Sequence, residues 1–148
     1  MTAQQPPGAG GTDDGRGAKV RLAPGDAPHL YISVSRSGAT TVLALHGELD
    51  VYTVPDLRAR IEAALNRGAR DLVLDLDELG FCDSAGLGVM IQGNVLAKAN
   101  GGRLLLAAVP ERILKTLLIT GLDRVLLMYA DVAAAVASLD ETAGGSRV

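Results

Sequence analysis

The sequence predicts an α/β domain: a mixed β-sheet that opens with an antiparallel hairpin and continues in parallel strands, with about four helices packed on it. Two observations carry this. Segments 29–35 and 40–47 alternate apolar and polar residues around a polar turn, and beyond them short apolar runs alternate with stretches of helical spacing. Helix-length connections join neighbouring parallel strands by right-handed crossovers. The length, 148 residues, suits one domain with tails, and Leu, Val, Ile and Ala must build the core because aromatics are scarce.

Residues 1–28 are rich in Gly, Pro and polar side chains and hold too little apolar surface to offset their ordering entropy, so a disordered tail is expected there. The folded domain is expected over 29–140. HLYISVS and TTVLALHG form the hairpin around Arg36-Ser37-Gly38. Pro55 suits the first turn of a helix whose Leu57, Ile61, Ala64 and Leu65 share one face, and Gly68 closes it. DLVLDL (71–76) is a short strand, and 84–100 a helix ended by Gly101-Gly102, with Leu87, Met90, Ile91 and Val95 at core spacing. RLLLAAV is a buried strand. Pro110 opens the helix ERILKTLLIT, which Gly121 closes; VLLMYA is the last strand and DVAAAVASLD the last helix. A flexible end is expected over 141–148.

Lys and Arg number 14 against 17 Asp and Glu, a formal charge of -3, so the chain has no basic excess for a nucleic-acid backbone. The single cysteine, Cys82, makes no internal disulfide, and one cysteine with two histidines gives no recognisable metal-ligand spacing. The start lacks the basic and apolar runs of a signal peptide, and no stretch reaches the roughly 18 apolar residues of a bilayer span. A cytoplasmic protein with no membrane partner, cofactor or metal is expected.

The chemistry concentrates in 75–89, which leads from a strand end into a helix, the place where open α/β sheets gather ligand and partner contacts. Asp83 or Ser84 is placed to cap the helix through a side-chain oxygen. Ala85, Gly86 and Gly88 keep the first turn uncrowded, so that a partner's backbone can approach. A phosphate on Ser84 would bring about −1.5 to −2 charges to a helix N-terminus, where unpaired N–H groups and the dipole favour an anion.

The run Phe81-Cys82-Asp83-Ser84-Ala85-Gly86-Leu87-Gly88-Val89 resembles the signature of bacterial anti-sigma factor antagonists of the STAS family: an apolar pair, Asp, Ser, a small residue, Gly and Leu. Gly47-Glu48-Leu49-Asp50, Gly101-Gly102 before RLLLAA, and Ile119-Thr120-Gly121-Leu122 also look like family segments in the right order, covering about 32–137. The resemblance implies a STAS-like fold and puts Ser84 on the family's phosphoacceptor. It implies that the unphosphorylated protein binds an anti-sigma factor that is also a serine kinase, freeing a sigma factor. Phosphorylation then switches binding off, and a serine phosphatase resets the cycle. Glu48, Leu49, Asp50, Asp83, Ser84 and Gly86 are the interface residues it implies. Ala85 stands where many relatives carry a second Ser or Thr, and the N-terminal tail lies outside the family pattern.

Other interpretations are weaker. A soluble STAS accessory subunit of a transporter or signalling scaffold is the main alternative, against which Ser84 counts. A Ser84-His46-Asp50 hydrolase lacks the Gly-x-Ser-x-Gly elbow, since Cys82 stands two before Ser84. Gly86-Leu87-Gly88 has no Lys-Ser/Thr after it for a phosphate loop. Asp50 is expected near Ser84, and Cys82 is expected to be a small buried hydrophobe with no chemistry of its own.

Overall fold

A computed structural model of the chain describes residues 29–141. The tail expected over 1–28 lies outside the described residues, as does 142–148; Glu141 itself closes the last helix. Five strands form one sheet in chain order: β1 (Leu30–Ser37), β2 (Thr40–Leu49), β3 (Asp71–Cys82), β4 (Leu104–Ala107) and β5 (Met128–Tyr129). β1 and β2 pair antiparallel, from Leu30 opposite Gly47 to Ser37 opposite Thr40, and all later pairings are parallel. Helices α1 (Val54–Asn66), α2 (Ser84–Ala99), α3 (Glu111–Thr120) and α4 (Val132–Glu141) follow β2, β3, β4 and β5. The expected mixed sheet with four helices is the observed one.

Alternation along each strand sends side chains to two faces. Leu43, Leu45, Leu72, Leu74, Leu76, Leu104 and Leu106 share a core with Leu57 and Ile61 of α1, Met90 of α2, and Ile113 and Leu117 of α3. Val42, Val73, Leu105 and Ala107 meet Ala135 and Leu139 of α4 on the other face. The apolar stripe read for α1 is buried as expected. Among the described residues no helix is long and apolar enough to cross a membrane.

Three expectations are corrected. β3 does not stop at residue 76 but runs to Cys82, because two bulges absorb the polar interruption at Asp77-Glu78 and Gly80. Between Ala44 and His46 of β2 the partner strand advances from Asp75 to Glu78, and between Gly47 and Glu48 it advances from Leu79 to Phe81. The last strand shrinks to Met128–Tyr129, since Leu122–Arg124 forms a 3-10 turn and Leu126 drops into the core. Val95 of α2 is 60% exposed. Leu87 and Met90 are buried as expected and Ile91 is half-buried, while Gly86, Val89, Gly93 and Ala97 complete the buried stripe, with Asn94 among them accepting the Leu104 N–H at 3.2 Å. A Cβ at Gly93 would stand 2.9 Å from Ile61 Cδ1 and from Leu104 Cδ1, so the inward face of α2 is made of small residues that let it lie close to its neighbours.

Candidate functional site

The lengthened β3 brings two distant sequence segments together. Its last residue pairs with the last residue of β2, Cys82 beside Leu49, so the chain leaves both strands at one sheet end. β2 continues into the turn Glu48–Thr53, and β3 into the first turn of α2.

The turn is fixed from within. Asp50 Oδ1 accepts the N–H groups of Tyr52 at 2.9 Å and Thr53 at 3.0 Å, an Asx-type arrangement in which a side chain stands in for a backbone carbonyl. The Thr53 hydroxyl accepts the Asp50 N–H at 2.9 Å and donates to the Glu48 carbonyl at 2.9 Å. With its hydroxyl so occupied, Thr53 precedes α1 without a side-chain cap bond to it. Gly47 enters the turn at φ 118°, where a Cβ would collide with the His29 carbonyl oxygen, so this position requires glycine.

Asp83 joins the two segments. In extended backbone (φ −95°, ψ −173°) it is the N-cap of α2, with Oδ1 accepting the Gly86 N–H at 3.0 Å. Its Oδ2 accepts the Val51 N–H from the turn at 3.3 Å, and its own N–H donates to the Leu49 carbonyl at 3.1 Å. The cap is therefore Asp83, and Ser84 stands exposed as the first residue of a 16-residue helix.

Of the residues that the resemblance places at an interface, Glu48 and Ser84 are exposed and Asp50 and Asp83 half-buried, while Leu49 and Gly86 face inward. A Cβ at Gly86 would lie 2.6 Å from Cys82 Sγ and 2.9 Å from Leu49 Cγ. This corrects the expected purpose of that glycine: it admits Leu49 and Cys82 beneath the helix, and the open position in the turn is Gly88. Burial, and then the charge of Asp83, push the Cys82 thiol up to about 12, which fits a packing role. His46 lies on Val42's face of β2, its ring 5.4 Å from that of Tyr31, and the Asp50 carboxylate holds its own turn. The Ser84-His46-Asp50 grouping is thus not assembled as a relay.

Sequence inspection missed the apolar part of this surface. Val51, Tyr52 and Phe81 are exposed by 58%, 83% and 43%, Phe81 paired with Glu48 across the strands. Two of the chain's four aromatic side chains standing in acidic, polar text was the available signal.

Residues 32–129 match the family model described as "Mlab, STAS domain". A Bacillus subtilis (strain 168) protein named anti-sigma-B factor antagonist is 32% identical over 98 residues, 66% of this chain and 89% of that relative. The chain belongs to the STAS-domain anti-sigma factor antagonist family. The solved anti-sigma factor antagonist from Mycobacterium paratuberculosis shares the STAS fold at a TM-score of 0.69, with 24% identity, over 80% of this chain and 97% of its own. The Bacillus cell fate determinant SpoIIAA, solved in its phosphorylated form, aligns at a TM-score of 0.59 with 25% identity, over 73% of this chain and 99% of its own. In this STAS domain the most specific sequence segments, 47–50 and 81–89, are the two that Asp83 ties together.

Proposed function

We propose that this chain is the switchable partner of an anti-sigma factor that is also a serine kinase. With Ser84 unmodified it binds that partner and so frees a sigma factor. Transfer of the γ-phosphoryl group of ATP to Ser84 Oγ, with loss of the hydroxyl proton and departure of ADP, ends the binding. A metal-dependent serine phosphatase resets the cycle, and the chain contributes no catalysis of its own. The observation that carries this is an exposed Ser84 at the first position of a helix that Asp83 has already capped.

Glu48, Asp50, Asp83 and Ser84 supply the polar part of the interface, and Val51, Tyr52 and Phe81 supply apolar contact. Leu49 and Gly86 shape it from beneath. In the free protein the phosphate is tolerated, since the first-turn N–H groups and the helix dipole favour an anion. In the complex the partner must desolvate that dianion next to the Asp83 carboxylate, and every 1.4 kcal/mol or so lost weakens affinity about tenfold.

The test is intact-mass analysis and site mapping of wild type and Ser84→Ala after incubation with ATP and each candidate anti-sigma kinase of the same genome. One phosphate on Ser84 of wild type and none on the variant is expected. If no kinase modifies or binds either form, the proposal is wrong, and co-purifying transporter or scaffold subunits would replace it.

A further inference from the structure

We propose that His29, Glu48 and Asp50 form a site for a divalent transition-metal cation, with Zn²⁺ as its probe. One ligand atom from each residue, an imidazole nitrogen and two carboxylate oxygens, lies within 4.8 Å of the other two. Ligands at about 2.1 Å from a tetrahedral ion stand about 3.4 Å apart, so small side-chain rotations close the shell. The inference is independent of Ser84 phosphorylation.

Three features make the cluster more than a chance meeting of surface charges. The backbones that carry it are fixed: the Glu48 N–H donates to the His29 carbonyl at 2.6 Å, and Gly47 between the strand pair and the turn sits where only glycine fits. Asp50 is held by its Oδ1 bonds to the Tyr52 and Thr53 N–H groups, which fix the orientation of the carboxylate. Two carboxylates this close repel each other, and a dication removes that repulsion. The imidazole selects the class, because Mg²⁺ and Ca²⁺ take oxygen shells while Zn²⁺ and its neighbours accept nitrogen. Three protein ligands at an exposed position leave a coordination place for water or for a donor from a docked partner. Since Glu48 and Asp50 belong to the turn that Asp83 holds through Val51, an occupied site stiffens the same surface.

Isothermal titration of the untagged full chain with Zn²⁺, and separately with Mg²⁺, tests this. One Zn²⁺ per chain is expected, with His29→Ala and Glu48→Gln each weakening it by about tenfold or more and His46→Ala leaving it unchanged. The exposed positions of His29 and Glu48 let both variants fold, which matching thermal melts confirm. Absence of saturable Zn²⁺ binding in wild type, or wild-type affinity in both variants, overturns the site. Mg²⁺ binding as tight as Zn²⁺ overturns the transition-metal class.

Discussion

The turn Glu48–Thr53 and the first turn of α2 lie side by side at one sheet end, yet they are held in opposite ways. The turn is cross-linked by Asp50 and Thr53 through four side-chain hydrogen bonds of 3.0 Å or less, and a Gly47 conformation closed to other residues leads into it. The helix turn is held at Asp83 and, through Gly86, against Leu49 and Cys82, while Ser84 only projects. The lesson is a division of labour: hydrogen-bonded backbone fixes the shape of the turn, and the Ser84 hydroxyl, the proposed phosphoacceptor, carries none of the fold. Every experiment that moves one region without the other sharpens or breaks that division.

The largest effect is expected at the seam beneath both regions. A Cys82 thiol pushed up from 9.0 to about 12 holds about a thousandfold less thiolate at pH 8. Alkylation by iodoacetamide in native protein should then be at least about a hundredfold slower than in the urea-unfolded chain, and equal rates would show that α2 does not seal the seam. The sign for stability follows: the unfolded thiol ionises first, so this contribution is intact below about pH 9 and is lost as pH climbs toward 12. Cys82→Ala should flatten that part of the urea-melt pH profile.

Next comes the rigid side. Gly47→Ala forces a Cβ into the His29 carbonyl at φ 118° and should cost about 3 kcal/mol in urea denaturation; a loss below about 1 kcal/mol would mean that the turn is adjustable. Asp83→Ala removes the α2 cap and the tie to Val51, for an expected loss of about 1 to 2 kcal/mol. In that variant the amide resonances of Val51 and Gly86 should both shift, and movement of Gly86 alone would deny the link between the regions.

How far the sequence speaks can be read from the same residues. Alternation in 40–47 and the stripe Leu57, Ile61, Ala64 and Leu65 are strong periodic signals, and the elements they predict are present and buried on the predicted sides. Val95 misleads because the contact face of α2 is built from Gly86, Gly93 and Ala97, which give a hydrophobicity pattern no weight although they set the closest packing. Residues 77–82 look like a loop because two bulges break the alternation that would mark a strand, and a bulge depends on the partner strand as much as on its own residues. The motif around Ser84 was legible as a motif. That Asp83 rather than Ser84 caps, that Asp50 is occupied in its own turn, and that Gly86 faces inward are tertiary facts.

The smallest expected effect is the most discriminating. Ser84→Ala removes an exposed hydroxyl from a helix whose cap lies one residue earlier, and Ala is the better helix former by a few tenths of a kcal/mol. Stability should therefore change by less than about 0.5 kcal/mol, in the stabilising direction if at all. A thermal melt of Ser84→Ala beside Asp83→Ala gives the comparison directly. If Ser84→Ala destabilises as much as Asp83→Ala, the hydroxyl is part of the cap, and a phosphate placed there would have to disturb the fold to act. If only Asp83→Ala destabilises, position 84 is spare to folding, and a charge added there acts on whatever docks against it.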